Sequence, residues 1–245
     1  MSRKTSKRGT RGMRHIILLI TCALLSFMSM PAMTTTENGN AEATTQSPDF
    51  PFAVYILIFE GVEEEPIQNI IPRLEQEFGF PVKVLDARPE VDPEWLNPER
   101  NQYPALRVLE ESLAYAPENS ARLLAFFSGD MYIAQTEFVF GLADPGSRGA
   151  VVSQFRLLSG EKQRQQARLA NEALHELGHT FGLTHCPQVN KCVMSVARTV
   201  RAVDARSASF EPACRKKLNQ AIAELKAELI EKQTRKTENN NNRDK

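Results

Sequence analysis

Residues 175–186 read HELGHTFGLTHC. In a helix, residues i and i+4 lie on one face, so His175 and His179 point their imidazoles at one place, as a bound metal ion requires. Glu176 is rotated by about 100° along the same surface, where it can reach a water molecule on the metal without binding the metal itself. This stretch therefore predicts a metal site on a helix, with a carboxylate beside it that can act as a general base.

Gly182 and His185 extend the same pattern. Glycine allows the chain to leave the helix in a backbone conformation that larger side chains avoid, and the turn can then bring His185 to a third ligand position. The chain has four histidines, and all but His15 stand in this motif. Three imidazoles indicate a zinc ion whose fourth position holds water, with a pKa lowered to about 7. A histidine cluster without metal is the alternative, which this full spacing disfavours.

The sequence on either side of the motif predicts an α/β domain. Short runs rich in β-branched and aromatic residues predict strands at Phe52–Phe59, Val82–Leu85, Leu123–Phe127, Glu137–Leu142 and Ala150–Phe155. Apolar residues at helical spacing predict helices at Pro66–Phe78, Pro104–Ala116, Gly160–Phe181 and Pro212–Lys232. The opening order of strand, helix and strand implies a parallel pair joined by a helical crossover.

The two ends of the chain differ in composition from this body. Residues 1–33 have a basic start and an apolar run, which predict an export signal or a membrane anchor, and hence a periplasmic or secreted protein. Residues 34–51 and 233–245 are polar and predict a disordered linker and a disordered tail. Six of the 30 basic residues lie within residues 1–15, which leaves 24 bases against 30 acids in the remainder. A mildly acidic body argues against a nucleic-acid partner, and we expect membrane contact only through the N-terminal segment.

The residues that follow the third histidine suggest a family. Cys186 comes directly after His185, and a short spacer then leads to Cys192-Val193-Met194. With the histidine motif, this order resembles the archaemetzincins, a branch of the metzincin clan of zinc metallopeptidases. The likeness extends over roughly Phe52 to Ile230, which places a metzincin-like peptidase domain at residues 52–232.

The resemblance implies both a fold and a set of site residues. The implied fold is a mixed, mostly parallel five-stranded sheet with one antiparallel edge strand, a long active-site helix and a small C-terminal helical subdomain. Our candidate for the edge strand is Glu137–Leu142, to which a substrate could add as a further strand. The resemblance implies that Glu176 is the catalytic residue and that Met194 forms the methionine turn. The implied zinc ligands are His175, His179 and His185.

The implied activity is that of a zinc-dependent peptidase with a peptide or protein substrate and one catalytic zinc. Hydrolysis would follow attack by a zinc-bound water, with Glu176 accepting the water proton. Two other functions stay open. One is a zinc-binding module without turnover, against which the intact Glu176 argues, and the other is a zinc amidohydrolase that cleaves a non-peptide amide.

The cysteines depart from the family pattern, in which four cysteines hold a second, structural zinc. This chain offers Cys186, Cys192 and Cys214, and Lys217 stands where we expect the fourth thiolate. A protonated lysine cannot bind zinc. Three interpretations stay open: a zinc held by three thiolates with water or a nearby residue, a disulfide between two of the cysteines, or free cysteines that only pack.

Overall fold

A computed structural model describes residues 50–145 and 147–243. The strands in these ranges are β1 Ala53–Ile58, β2 Val82–Val84, β3 Tyr103–Pro104, β4 Ser120–Phe127, β5 Met131–Tyr132, β6 Gly141–Ala143 and β7 Gly149–Ser153. The α-helices are α1 Glu65–Gln68, α2 Ile71–Phe78, α3 Ala105–Leu113, α4 Lys162–Thr180, α5 Val200–Ala205 and α6 Pro212–Arg243. Within the same ranges, no helix is long and apolar enough to cross a membrane.

The main sheet has five strands in the order β2-β1-β4-β7-β6. Neighbouring strands run parallel, as in the pairing of Ile56 with Val84 and with Leu124. Strand β6 alone runs antiparallel to its neighbour β7, with Leu142 opposite Val151. The mixed, mostly parallel five-stranded sheet with an antiparallel edge is therefore confirmed.

Both faces of the sheet are buried, because helices cover each of them. One set of strand residues, including Ile56 and Leu124, packs with apolar residues of α2 and α4, among them Leu174. The alternate set, including Leu57 and Leu123, packs with residues of α3. Central parallel strands covered on both faces are apolar throughout rather than alternating, which explains the almost unbroken apolar run at the centre of β4.

The predicted helix at Pro66–Phe78 is two helices in the structure. Pro66 lies in the first turn of α1 and Pro72 in the first turn of α2. Proline lacks the N–H that a continuing helix needs, so a helix can begin around it but not run through it. The helix ends at Gly79, which adopts a left-handed φ of 64°, as the sequence indicated.

The edge strand is shorter than the predicted Glu137–Leu142. Strand β6 begins only at Gly141. The carbonyl of Phe140 still accepts from the N–H of Ser153 in β7, but Val139 bonds elsewhere. The N–H of Val139 donates to the carbonyl of Met131 at 2.8 Å, which makes an isolated bridge to β5. This edge of the sheet therefore has two parts. One is the short strand β6, which pairs with β7, and the other is the segment around Val139, which bonds to β5.

Both predicted boundaries of the domain shift outward. Phe50, placed in the linker, packs edge-on against Phe80 with ring centroids 5.6 Å apart. The C-terminal helix runs to Arg243 rather than ending at Lys232, so the segment predicted to be a disordered tail is helical as far as that residue. Ion pairs between residues i and i+4 support this extension, as for Glu231 with Arg235. The predicted signal or anchor and the linker up to residue 49 lie outside the described residues.

Candidate active site

Helix α4 and the turn after it bring three imidazoles together. His175 and His179 lie one turn apart on α4, and Gly182 leaves the helix with a φ of 79°. The turn returns His185 to the same place, where ring centroids lie 4.7 to 5.3 Å apart. One ligand atom from each of the three side chains lies within 4.8 Å of the others. The arrangement is the one the sequence predicted for a metal site.

The two helical imidazoles are held in the orientation that a metal ligand needs. His175 donates through Nδ1 to the carbonyl oxygen of Val193 at 2.8 Å, and His179 donates through Nδ1 to that of Leu183 at 2.7 Å. A carbonyl oxygen only accepts, so each Nδ1 carries the proton and each Nε2 carries a lone pair. The two Nε2 atoms are 3.1 Å apart. Two lone pairs facing each other at this distance repel unless a cation lies between them, so the donor set fits zinc.

Burial favours the neutral form of these histidines. It lowers the pKa of His175 well below its usual range, with the charge of Arg206 adding to the effect. Burial likewise lowers the pKa of His179 and of His185. Only a neutral imidazole has a free Nε2 lone pair. The lowered pKa values therefore let these histidines bind a cation at a lower pH than free histidine could.

Glu176 lies buried beside the imidazoles, directly under strand β6. A Cβ atom added to Gly141 would lie 2.7 Å from Oε1 of Glu176, which leaves no space between the strand and this carboxylate. Burial raises the pKa of Glu176 well above its usual range, and the carboxylate of Glu172 raises it further. The positive charge of Arg206 acts in the opposite direction. The side chain therefore holds a proton more readily than an exposed carboxyl does, as suits an acid-base group.

A buried ion pair that sequence reasoning missed lies next to Glu176. Arg206 donates through Nη2 to Oε2 of Glu172, and through Nη1 to the carbonyl oxygen of Ser195 at 3.3 Å. Both charged side chains are almost fully buried. Helical spacing could have pointed to Glu172, which precedes Glu176 by one turn on α4. Nothing in the sequence indicated that Arg206, at the end of α5, would meet it.

Met194, to which the resemblance assigns the methionine turn, packs against α4 at Gly178. Its side chain is fully buried, and a Cβ atom added to Gly178 would lie 2.6 Å from its sulfur. The carbonyl of Met194 accepts from the N–H of Cys186 at 2.9 Å. Because Gly178 has no side chain, the backbone of α4 packs directly against Met194. The hydrogen bond to Cys186 links the methionine turn to the residue that follows His185.

The three cysteines form a second cluster. The Sγ atoms of Cys186, Cys192 and Cys214 lie within 4.8 Å of one another, and all three thiols are free. Burial raises the pKa of Cys214 to about 12, and the two neighbouring thiols contribute. Lys217 is exposed on α6, so the position at which we expected the fourth ligand faces solvent.

A cleft of about 780 Å³ opens onto the histidines. Its walls include the segment before and within β6, with Phe138 and Leu142, and it reaches Glu176 and His185. Among the described strands, none pairs with the outer edge of β6. The cleft therefore offers an extended chain both a free strand edge and the imidazole cluster.

Comparison with known proteins gives consistent matches. The model of Peptidase family M54 matches residues 104–220. The archaemetzincin of Methanopyrus kandleri is 38% identical over 151 residues, which cover 60% of this chain and 85% of that protein. The crystal structure of an archaemetzincin from the same organism superposes with a TM-score of 0.65 at 32% identity, over 70% of this chain and 96% of that one. A zinc-dependent peptidase from Methanocorpusculum labreanum has a TM-score of 0.60 at 26% identity, over 68% and 100% of the two chains.

Proposed function

Because the chain belongs to the archaemetzincin family of zinc metallopeptidases, Peptidase family M54, we propose that it hydrolyses peptide bonds with Glu176 moving the proton. The observation that carries the proposal is the position of this carboxylate, which follows His175 on α4 and lines the same cleft as the three imidazoles. This carboxylate is buried, and burial raises its pKa.

Glu176 has two tasks in the proposed reaction. Its carboxylate accepts a proton from the attacking water and then donates that proton to the nitrogen of the leaving amine. Zinc, when bound to the three imidazoles, polarises the peptide carbonyl and makes the water more acidic. The raised pKa of the buried carboxyl suits both tasks, because the group must gain and lose a proton within one cycle.

Strand β6 is the proposed guide for the substrate. It is the antiparallel edge of the sheet, and its free side borders the cleft. An extended peptide can pair with such an edge through backbone hydrogen bonds, which hold any sequence in the same position. The peptide bond beside Gly141 would then lie next to Glu176, since no side chain separates the strand from this carboxylate.

A digest of a peptide library tests this function. We expect cleavage products that disappear when a chelator removes zinc and return when zinc is restored. A zinc-binding module would give no products under either condition. An amidohydrolase would leave peptides intact but cleave small amides in a parallel assay, so the two assays together separate the three functions.

Gly141→Ala should reduce hydrolysis without removing zinc. The added methyl group would collide with Glu176 and push its carboxylate or the strand out of position, and small misplacements of a reacting group can cost about 100-fold in rate. We expect kcat to fall at least about tenfold, while the zinc content measured by elemental analysis stays unchanged. Ala114→Gly, exposed at the end of α3 and outside the cleft, is the control. A wild-type rate for Gly141→Ala would contradict the close fit of strand and carboxylate.

A further inference from the structure

Glu211 borders the cysteine cluster. Its Oε2 atom lies 4.0 Å from Sγ of Cys186, and its backbone N–H points at Sγ of Cys192 at 3.4 Å. Its other oxygen, Oε1, accepts from the N–H of Ala213 at 3.0 Å in the first turn of α6. One carboxylate oxygen thus caps the helix, and the other lies beside the thiol of Cys186 at the border of the cluster.

We propose that Glu211 is the fourth ligand of a metal ion held by Cys186, Cys192 and Cys214. Around a tetrahedral zinc with bonds of about 2.3 Å to sulfur and 2.1 Å to oxygen, a sulfur and an oxygen ligand lie about 3.6 Å apart. The observed separation of 4.0 Å is close to that value. The carboxylate supplies the negative charge that a fourth thiolate would otherwise supply.

The spacing in the chain supports the same ligand. Residues 211–214 read Glu-Pro-Ala-Cys, which is the two-residue spacing of a paired metal ligand with a carboxylate in the first position. The missing ligand was expected after Cys214, at Lys217, but that side chain is exposed. The ligand that replaces the missing cysteine therefore precedes Cys214 instead of following it.

The negative charge of Glu211 also favours a bound cation. The residue is only partly exposed, and none of the ion pairs in the described part of the chain includes it. Its carboxylate accepts from the N–H of Ala213 at the start of its own helix and otherwise lies beside the thiol of Cys186, which is a weak donor. Soft thiolates with one carboxylate are a suitable ligand set for zinc.

A metal at this position would join three parts of the active-site support. Cys186 is the residue after His185, and Cys192 stands two residues before Met194. Cys214 lies in α6, which is far from both in sequence. The bound metal would therefore link the loop of the third histidine and the methionine turn to the C-terminal helix. This structural role does not depend on catalysis.

Cobalt substitution in the full-length, reduced protein tests the proposal. Only thiolate ligands give the near-ultraviolet charge-transfer band of Co²⁺, so the imidazole site is silent in this measurement. We expect the wild type to show this band, and Glu211→Cys to raise its intensity by about one third, as four thiolates replace three. Lys217→Cys is the matched control and should leave the band unchanged.

Zinc release gives a second measurement that does not depend on activity. Glu211→Ala should speed the loss of zinc from the cysteine site to a chelator by about tenfold or more, with the fold checked by circular dichroism. The proposal is overturned if Lys217→Cys raises the cobalt band and Glu211→Cys does not. It is also overturned if the reduced wild type gives no band, or if mass spectrometry of the purified protein shows a disulfide between two of these cysteines.

Discussion

Glu176→Ala should nearly abolish peptide hydrolysis while the protein keeps its zinc. The carboxylate is not one of the three clustered metal-ligand side chains, so its loss leaves the metal site intact. General acid-base catalysis contributes about 10²- to 10⁴-fold to a rate, and we expect kcat to fall by that factor. The measurement is cleavage of a fluorogenic peptide, with zinc per protein determined on the same samples.

Two further variants make this result specific. Glu176→Gln keeps the size of the side chain but cannot move a proton, so it should lose as much activity as the alanine variant. Glu110→Gln, on the exposed face of α3, should keep full activity. If Glu176→Gln cleaved peptides at the wild-type rate, the assignment of Glu176 as the proton carrier would be wrong.

Arg206→Leu should destabilise the domain by about 3–5 kcal/mol, the usual cost of removing one partner from a buried ion pair. Glu172, itself almost fully buried, would be left without its cation and next to Glu176. Urea unfolding followed by circular dichroism measures the change. The size of the effect comes from the charge left behind rather than from the lost attraction.

A double variant distinguishes these two causes. Removing both charges with Glu172→Leu and Arg206→Leu leaves no unpaired group, and such replacements are often close to neutral. We therefore expect the double variant to recover most of the lost free energy of unfolding. A double variant as unstable as Arg206→Leu alone would show that the arginine matters through packing or through its bond to Ser195.

The metal site on α4 was predictable because local geometry determines it. Helical spacing alone places His175 and His179 together, and a left-handed glycine at 182 is enough to return His185. The central strands were equally visible, since strands buried on both faces are apolar throughout. In these segments the preference of the local sequence and the demands of the fold agree.

Features that depend on distant contacts were not predictable in this way. The edge strand begins late because Val139 bonds to Met131, and no periodicity reveals that partner. Arg206 meets Glu172 only when α5 packs against α4. Glu211 was overlooked because the missing ligand was expected after Cys214, at Lys217, and only the folded chain brings Glu211 beside Cys186.

The contact between Gly178 and Met194 has a consequence for oxidative damage. The sulfur of Met194 is fully buried and packed onto the backbone of α4, so a sulfoxide oxygen has no room in the folded state. Peroxide can reach this thioether only when the methionine turn moves away from the helix. The rate at which Met194 is oxidised to the sulfoxide would therefore report how often the turn opens. Mass spectrometry of peptides measures this rate without an assay of catalysis.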